Sequence, residues 1–134
     1  MKAFKRIETF VFSCILAIAL AVCIMIFFFS IKPVVIVSGS MEPGIPTGSL
    51  AFIDQRDQTA APGDIIAYTI GDTTVVHRVI EENDDGTYIT KGDSNDTADP
   101  APVARKQVQG KEVFCIPKLG YAIKFIRGTD ITNK

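Results

Sequence analysis

The sequence is poor in the residues that build metal sites and disulfide frameworks. It has one histidine, His77, and three cysteines. Cys14 and Cys23 lie inside a long apolar run, and Cys115 stands alone near the end. A structural zinc site needs about four Cys or His ligands, and no CxxC pair is present. The sequence therefore predicts neither a metal site nor a disulfide-stapled fold.

Strong charge and phosphate-binding motifs are also missing. The formal net charge is −1 over 134 residues, and basic and aromatic residues are not interleaved, so binding to nucleic acid is not expected. Gly48, Gly63 and Gly71 are too scattered to form a phosphate-binding loop. We therefore expect no cofactor.

One long uncharged segment, residues 10–31, dominates the N-terminal part of the chain. As a helix it would be about 33 Å long, which is enough to cross a hydrocarbon core of about 30 Å. Lys2, Lys5 and Arg6 precede it. The positive-inside rule then places residues 1–9 in the cytoplasm and the rest of the chain outside, in a single-pass protein of the cell membrane.

A cleaved secretory signal is the alternative interpretation of this segment. The apolar core of such a signal is about 7–15 residues long and ends at a small-residue cleavage site. Here the run is longer and closes with Phe27-Phe28-Phe29-Ser30-Ile31-Lys32-Pro33. The sequence therefore favours an uncleaved membrane anchor.

After the anchor, short apolar segments alternate with turn residues, which is typical of β-strands. The predicted strands are Val34–Val37, Ser49–Ile53, Asp64–Ile70, Thr74–Ile80, Thr87–Lys91 and Lys111–Ile116. These segments predict a single small, mainly β domain outside the membrane over residues 32–116.

The last segment, residues 117–134, is basic and contains a helical apolar stripe formed by Leu119, Ala122, Ile123 and Ile126. We expect either an amphipathic tail that lies at the membrane interface or a shortened form in which a second membrane helix has been lost.

A tight turn at Ser38-Gly39-Ser40-Met41-Glu42-Pro43 follows the first predicted strand. Backbone on both sides of Ser40 restrains its hydroxyl, which is one requirement for a nucleophile, and a nearby base is the other. A plain polar turn is the alternative, because Ser, Gly and Pro are ordinary turn residues.

A predicted hairpin supplies a candidate base. Its strands 74–80 and 87–91 flank a turn near Asp85-Gly86. Pairing around a turn at Asn83–Gly86, or around Asp85-Gly86, places His77 opposite residue 92 or 94. Asp93 therefore lies within one residue of its cross-strand partner. His77 shares a strand face with Val75 and Val79. A histidine there can be a plain core residue, but the acidic loop and the serine turn favour a functional role.

The serine turn resembles the Ser-x-Met-x-Pro box of the type I signal peptidases. Val76-His77-Arg78-Val79 and the loop from Lys91-Gly92-Asp93 to Asp99 are similar to that family's second and third boxes, in the same order. His77 stands where many bacterial members have lysine, as in the Ser-His subtype of the endoplasmic reticulum, archaea and some spore-forming bacteria. The resemblance covers roughly residues 1–127.

The resemblance implies a signal-peptidase or LexA-like β fold behind one transmembrane helix, and it implies roles for the site residues. Ser40 would be the nucleophile and His77 the general base. The family pattern maps the third triad member onto Asp99, with Asp93 as a supporting acid, whereas hairpin geometry alone points to Asp93. Ser38 would help to bind the oxyanion. A final pair of residues would shape the loop and the substrate groove: Met41 and Pro43.

The resulting hypothesis is a membrane-bound serine endopeptidase that cleaves signal peptides from exported preproteins with small residues at positions −1 and −3. The sequence does not define accessory subunits. One alternative is a non-catalytic single-pass protein or subunit that keeps the fold. Another is a self-cleaving peptidase of the repressor type, which usually has a lysine base, and Lys91 is the only lysine near the boxes.

Overall fold

A computed structural model of the protein describes residues 2–120, with side chains from residue 4 onward. The chain divides into two compact units, one ending at Ile31 and one beginning at Lys32. The first is a single helix, and the second contains the sheet and the candidate site.

Helix α1 runs from Lys2 to Phe29. It begins eight residues before the predicted apolar segment, because the preceding Lys, Ala, Phe and Glu residues are compatible with a helix. It ends at Phe29, because the next residue, Ser30, has a φ of 49°, outside the right-handed helical region. Within the described residues, Phe4–Phe29 is the one helix that is long and apolar enough to cross a membrane.

The second unit is built on one six-stranded sheet with the order β1-β2-β6-β3-β4-β5. The strands are β1 Ile31–Val35, β2 Leu50–Asp54, β3 Ile65–Ile70, β4 Thr73–Glu82, β5 Tyr88–Lys91 and β6 Val108–Ile116. The pairs β2–β6, β6–β3, β3–β4 and β4–β5 are antiparallel. The mainly β fold class predicted from the sequence is confirmed.

All six predicted strand segments are present as strands, with shifted ends. Strand β6 begins three residues before the predicted Lys111, because Val108 and Gly110 pair with Tyr68 and Ala67 of β3. This extension was not predicted because it contains Gln109 and Gly110, which are not typical strand residues. Tertiary pairing thus overrides the local pattern.

Side-chain alternation gives each face of the sheet its own apolar cluster. On β3, Ala67 belongs to a cluster that contains Met41 and Ile53, whereas Ile66 and Tyr68 belong to the other. The second cluster also contains Val79, Tyr88, Val103 and Val108, with Val75 packed against it.

The C-terminal tail is described only at its start. Leu119 is 40% exposed, and Gly120 approaches the backbone of Gly48 and Ser49. Three members of the predicted apolar stripe, Ala122, Ile123 and Ile126, lie outside the described residues.

Candidate active site

The turn that holds Ser40 is fixed by its own backbone and by a buried neighbour. The Glu42 amide donates to the Gly39 carbonyl at 3.0 Å, and the Ile45 amide donates to the Met41 carbonyl at 2.8 Å. The Met41 side chain is 1% exposed and packs in the first apolar cluster. Burying Met41 pins the residue next to Ser40, so the direction of the Ser40 hydroxyl is restricted.

His77 joins Ser40 and Asp99 in one hydrogen-bonded line. Its Nε2 lies 3.1 Å from Ser40 Oγ, and its Nδ1 lies 2.7 Å from Asp99 Oδ2. The residue is 9% exposed, and it comes from the centre of β4. A hydroxyl, an imidazole and a carboxylate in this order are the groups of a serine-hydrolase triad.

Asp99 Oδ2 accepts two further hydrogen bonds from buried hydroxyl groups. Thr90 Oγ1 lies at 2.6 Å and the Tyr68 hydroxyl at 2.8 Å. Burial alone would raise the pKa of the Asp99 carboxyl, but the hydrogen bonds from His77, Thr90 and Tyr68 outweigh it and lower this pKa. Asp99 therefore stays ionised at neutral pH.

Asp93 contacts an arginine and not the imidazole. Arg78 Nε and Nη2 donate to its two carboxylate oxygens at 2.8 and 2.7 Å, and Arg78 Nη1 donates to the Gly63 carbonyl at 2.8 Å. The hydrogen bonds from Arg78 lower the pKa of the Asp93 carboxyl, and the nearby His77 also contributes in that direction. The second-acid role predicted for Asp93 stays a prediction.

The hairpin register explains why Asp93 faces Arg78. Arg78 pairs with Lys91, the last residue of β5, which lies two residues before Asp93. Adjacent residues point to opposite faces of a strand. His77 and Arg78 therefore diverge, and each receives its own carboxylate from the loop after β5.

Ser38 lies beside the hydroxyl that the sequence predicts as the nucleophile. The two oxygens, Ser38 Oγ and Ser40 Oγ, are 3.1 Å apart. A hydroxyl at this position can donate to an oxyanion that forms next to Ser40. The oxyanion role of Ser38 stays a prediction.

The loop after β5 is hydrogen-bonded to the backbone of the serine turn. The Ser94 amide donates to the Ser40 carbonyl at 2.9 Å, and Ser94 Oγ donates to the Gly39 carbonyl at 2.8 Å. Gly92 lies so close that an added Cβ would be 2.6 Å from the Ser40 carbonyl oxygen. Only glycine allows this close approach.

A groove of about 420 Å³ leads to Ser40 and His77. It is lined by residues 34–38 and by residues 73–77, together with Ser40 and Met41. Met41 thus borders the groove while its side chain packs in the core. Pro43 is exposed and lies outside the groove lining.

Sequence reasoning missed the residues that hold the two acids in place. Tyr68 and Thr90 are ordinary strand formers in the sequence, so nothing local marks them as partners of Asp99. For Arg78, the one feature in the sequence that could have indicated a role at the site is its position next to His77. For the glycine in Lys91-Gly92-Asp93, the feature is its position after a strand, because a glycine that ends a strand often permits a close backbone approach.

Comparisons with known proteins identify the family of the chain. Residues 32–113 match the family model described as Peptidase S24-like. The chain is 40% identical over 101 residues to the signal peptidase complex catalytic subunit SEC11 of Scheffersomyces stipitis, covering 66% of this chain and 61% of that protein. The SEC11 subunit of Clavispora lusitaniae is 38% identical over 101 residues, with the same coverage. The chain thus spans about three fifths of the length of these relatives.

Proposed function

Because this chain belongs to the S24-like peptidase family, we propose that it is a membrane-anchored serine endopeptidase that removes signal peptides from exported preproteins. One observation carries the proposal: the hydrogen-bonded line from Ser40 through His77 to Asp99 at the end of an apolar groove. The SEC11 relatives, which are named as catalytic subunits of a signal peptidase complex, support the substrate class.

The proposed reaction follows from the order of the three groups. Ser40 Oγ attacks the carbonyl carbon of the scissile bond, while His77 Nε2 takes the hydroxyl proton. The imidazolium then protonates the leaving amine, and an acyl-enzyme ester remains on Ser40. A water molecule, deprotonated by His77, attacks this ester and releases the new carboxyl end together with free Ser40.

Charge develops at two places, and the site has groups for both. Asp99 stabilises the imidazolium through Nδ1, at 2.7 Å. The oxyanion of the tetrahedral intermediate would take hydrogen bonds from the Ser40 amide and from Ser38 Oγ. Asp93 forms an ion pair with Arg78. It would therefore support the site indirectly, without a direct contact with the imidazole.

The groove supports an extended, apolar substrate segment. Strand β1 is an edge strand of the sheet, and its last two residues together with residues 36–38 form one wall of the groove. An extended peptide can add to such an edge through main-chain hydrogen bonds. Small side chains at positions −1 and −3 would then face the apolar walls.

Helix α1 would hold the site at the membrane. Its segment Phe4–Phe29 has the length and hydropathy of a membrane span, and Lys5 and Arg6 at its beginning favour a cytoplasmic N-terminus. The peptidase unit would then lie on the opposite side, where the cleavage site of a signal peptide emerges.

The test is cleavage of a preprotein with an Ala-x-Ala site by the full chain, purified in detergent and also assayed in membrane vesicles. Ser40→Ala should abolish cutting, whereas Ser13→Ala on helix α1 should leave it unchanged. Full activity in Ser40→Ala would remove Ser40 from the mechanism. A non-catalytic subunit, the other candidate, would show no cutting by either form, but the contacts among Ser40, His77 and Asp99 favour a peptidase.

A further inference from the structure

Three neighbouring strands each direct one hydrogen-bond donor to a single oxygen atom. Tyr68 on β3, His77 on β4 and Thr90 on β5 all contact Asp99 Oδ2, at 2.8, 2.7 and 2.6 Å. Asp99 itself lies in the loop after β5, so without such contacts its carboxylate would be free to turn. The central strands of the sheet therefore determine where this loop side chain lies.

Thr90 holds Asp99 at two points. Its backbone carbonyl accepts a hydrogen bond from the Asp99 amide at 2.8 Å, and its hydroxyl donates to Oδ2. Thr90 is fully buried, and Asp99 N therefore lies at a fixed place beside β5. Two anchor points on one residue define the position of the backbone and the direction of the carboxylate together.

Tyr68 is the complementary support from the other side of β4. It is 1% exposed, and burial, the largest effect, helps raise the pKa of its hydroxyl to about 12. The phenol therefore keeps its proton at neutral pH and remains a donor. Its oxygen is also 3.2 Å from Thr90 Oγ1, so the two hydroxyl groups lie side by side against Oδ2.

We propose that Tyr68 and Thr90 are positioning residues of the peptidase reaction, whose hydroxyl groups hold the Asp99 carboxylate on His77 Nδ1. This inference rests on the proposed function of Ser40, His77 and Asp99. Neither residue lines the groove, so both act through Asp99 and not on the substrate. Removing either hydroxyl should impair turnover without weakening substrate binding.

The first arm of the experiment measures steady-state kinetics of preprotein cleavage. Tyr68→Phe and Thr90→Val should each lower kcat about three- to tenfold, as expected for a net loss of roughly 1 kcal/mol per hydrogen bond, with KM unchanged. Thr90→Ser keeps the hydroxyl and should restore kcat. The matched control is Tyr88→Phe, because Tyr88 is equally buried but its hydroxyl contacts Ala60 N and Arg105 instead of Asp99.

The second arm observes the imidazole directly. His77 is the only histidine in the chain, so every signal from a sample labelled with 15N-histidine reports this residue. The Nδ1–H proton should give a resolved low-field signal in the unmodified protein and in Tyr88→Phe. In Tyr68→Phe and Thr90→Val it should move upfield and exchange faster with water.

The outcomes separate this inference from the function on which it rests. If the unmodified protein does not cut a preprotein, the proposed function fails, but the spectroscopic arm still tests the positioning. An unchanged Nδ1–H signal in both Tyr68→Phe and Thr90→Val would overturn the inference. The same losses in Tyr88→Phe would also overturn it, because they would reflect a general weakening of the core.

Discussion

Gly92 lies directly against Ser40: a Cβ added at Gly92 would be 2.6 Å from the Ser40 carbonyl oxygen and 3.0 Å from Ser40 Cβ. Gly92→Ala should therefore displace the serine turn and lower kcat at least about tenfold, because small displacements of reacting groups are costly. Preprotein cleavage by the purified variant is the measurement. Wild-type kcat with an unchanged thermal midpoint would contradict the close packing.

The two acids of the loop after β5 should respond differently to loss of charge. Asp99→Asn should lower kcat about 10³- to 10⁴-fold, because the amide cannot stabilise the imidazolium and favours the wrong tautomer. Asp93→Asn should lower activity far less. It should reduce the free energy of unfolding by about 1 kcal/mol, a modest figure because the Arg78 side chain is 35% exposed.

Kinetics and denaturant unfolding of these two variants, measured side by side, check this assignment. Each substitution changes one carboxylate to an amide of the same shape, so each variant serves as the control for the other. Equal kcat losses in Asp93→Asn and Asp99→Asn would mean that both acids act on His77.

Ser38→Ala should separate an oxyanion role from a turn-forming role. Loss of the hydroxyl that lies 3.1 Å from Ser40 Oγ should lower kcat about 10²-fold with little change in KM, because the oxyanion forms only during the reaction. Ser38→Thr keeps a hydroxyl and should retain more activity. Unchanged kcat in Ser38→Ala would leave Ser38 as a turn residue only.

Replacing the half-buried Glu112 with a neutral side chain should raise the stability of the protein in a pH-dependent way. Burial in the sheet raises the pKa of its carboxyl, and the charge of Arg78 offsets this only in part. For an acid whose folded-state pKa is raised, ionisation destabilises the fold, so the unfavourable effect appears as the pH rises above about 4.5. Glu112→Gln should therefore stabilise the protein at pH 7 by less than ~1 kcal/mol.

Thermal unfolding of Glu112→Gln and the unmodified protein between pH 3 and pH 8 measures this difference. The gap between the two midpoints should close as the pH falls below about 4.5, where Glu112 is protonated in both states. As a control, Glu81→Gln changes an exposed carboxylate. A gap of the same size at every pH would rule out the buried charge as its cause.

The strands could be predicted from the sequence, but their order could not. Apolar segments between turn residues marked all six, because a half-buried strand has a period of two. The insertion of β6 between β2 and β3 joins segments that are far apart in the chain. No local pattern records such a pairing, and the polar start of β6 at Gln109 and Gly110 concealed its true length.

The candidate site could likewise be predicted only where local sequence patterns indicate it. The serine turn and the hairpin carried local signals, so Ser40 and His77 could be proposed from the sequence. Hairpin register brought Asp93 close to His77 but did not reveal that Arg78 would bind this carboxylate. The contact with Asp99 depends on the path of the loop after β5, and no local pattern in the sequence records that path.

The hydrogen bond from Ser94 to Gly39 joins residues 55 positions apart, and this separation has a consequence during synthesis. The ribosome must make the chain as far as Ser94 before this hydrogen bond can form. A half-made chain would thus hold Ser40 without the hydrogen bonds that restrain its turn.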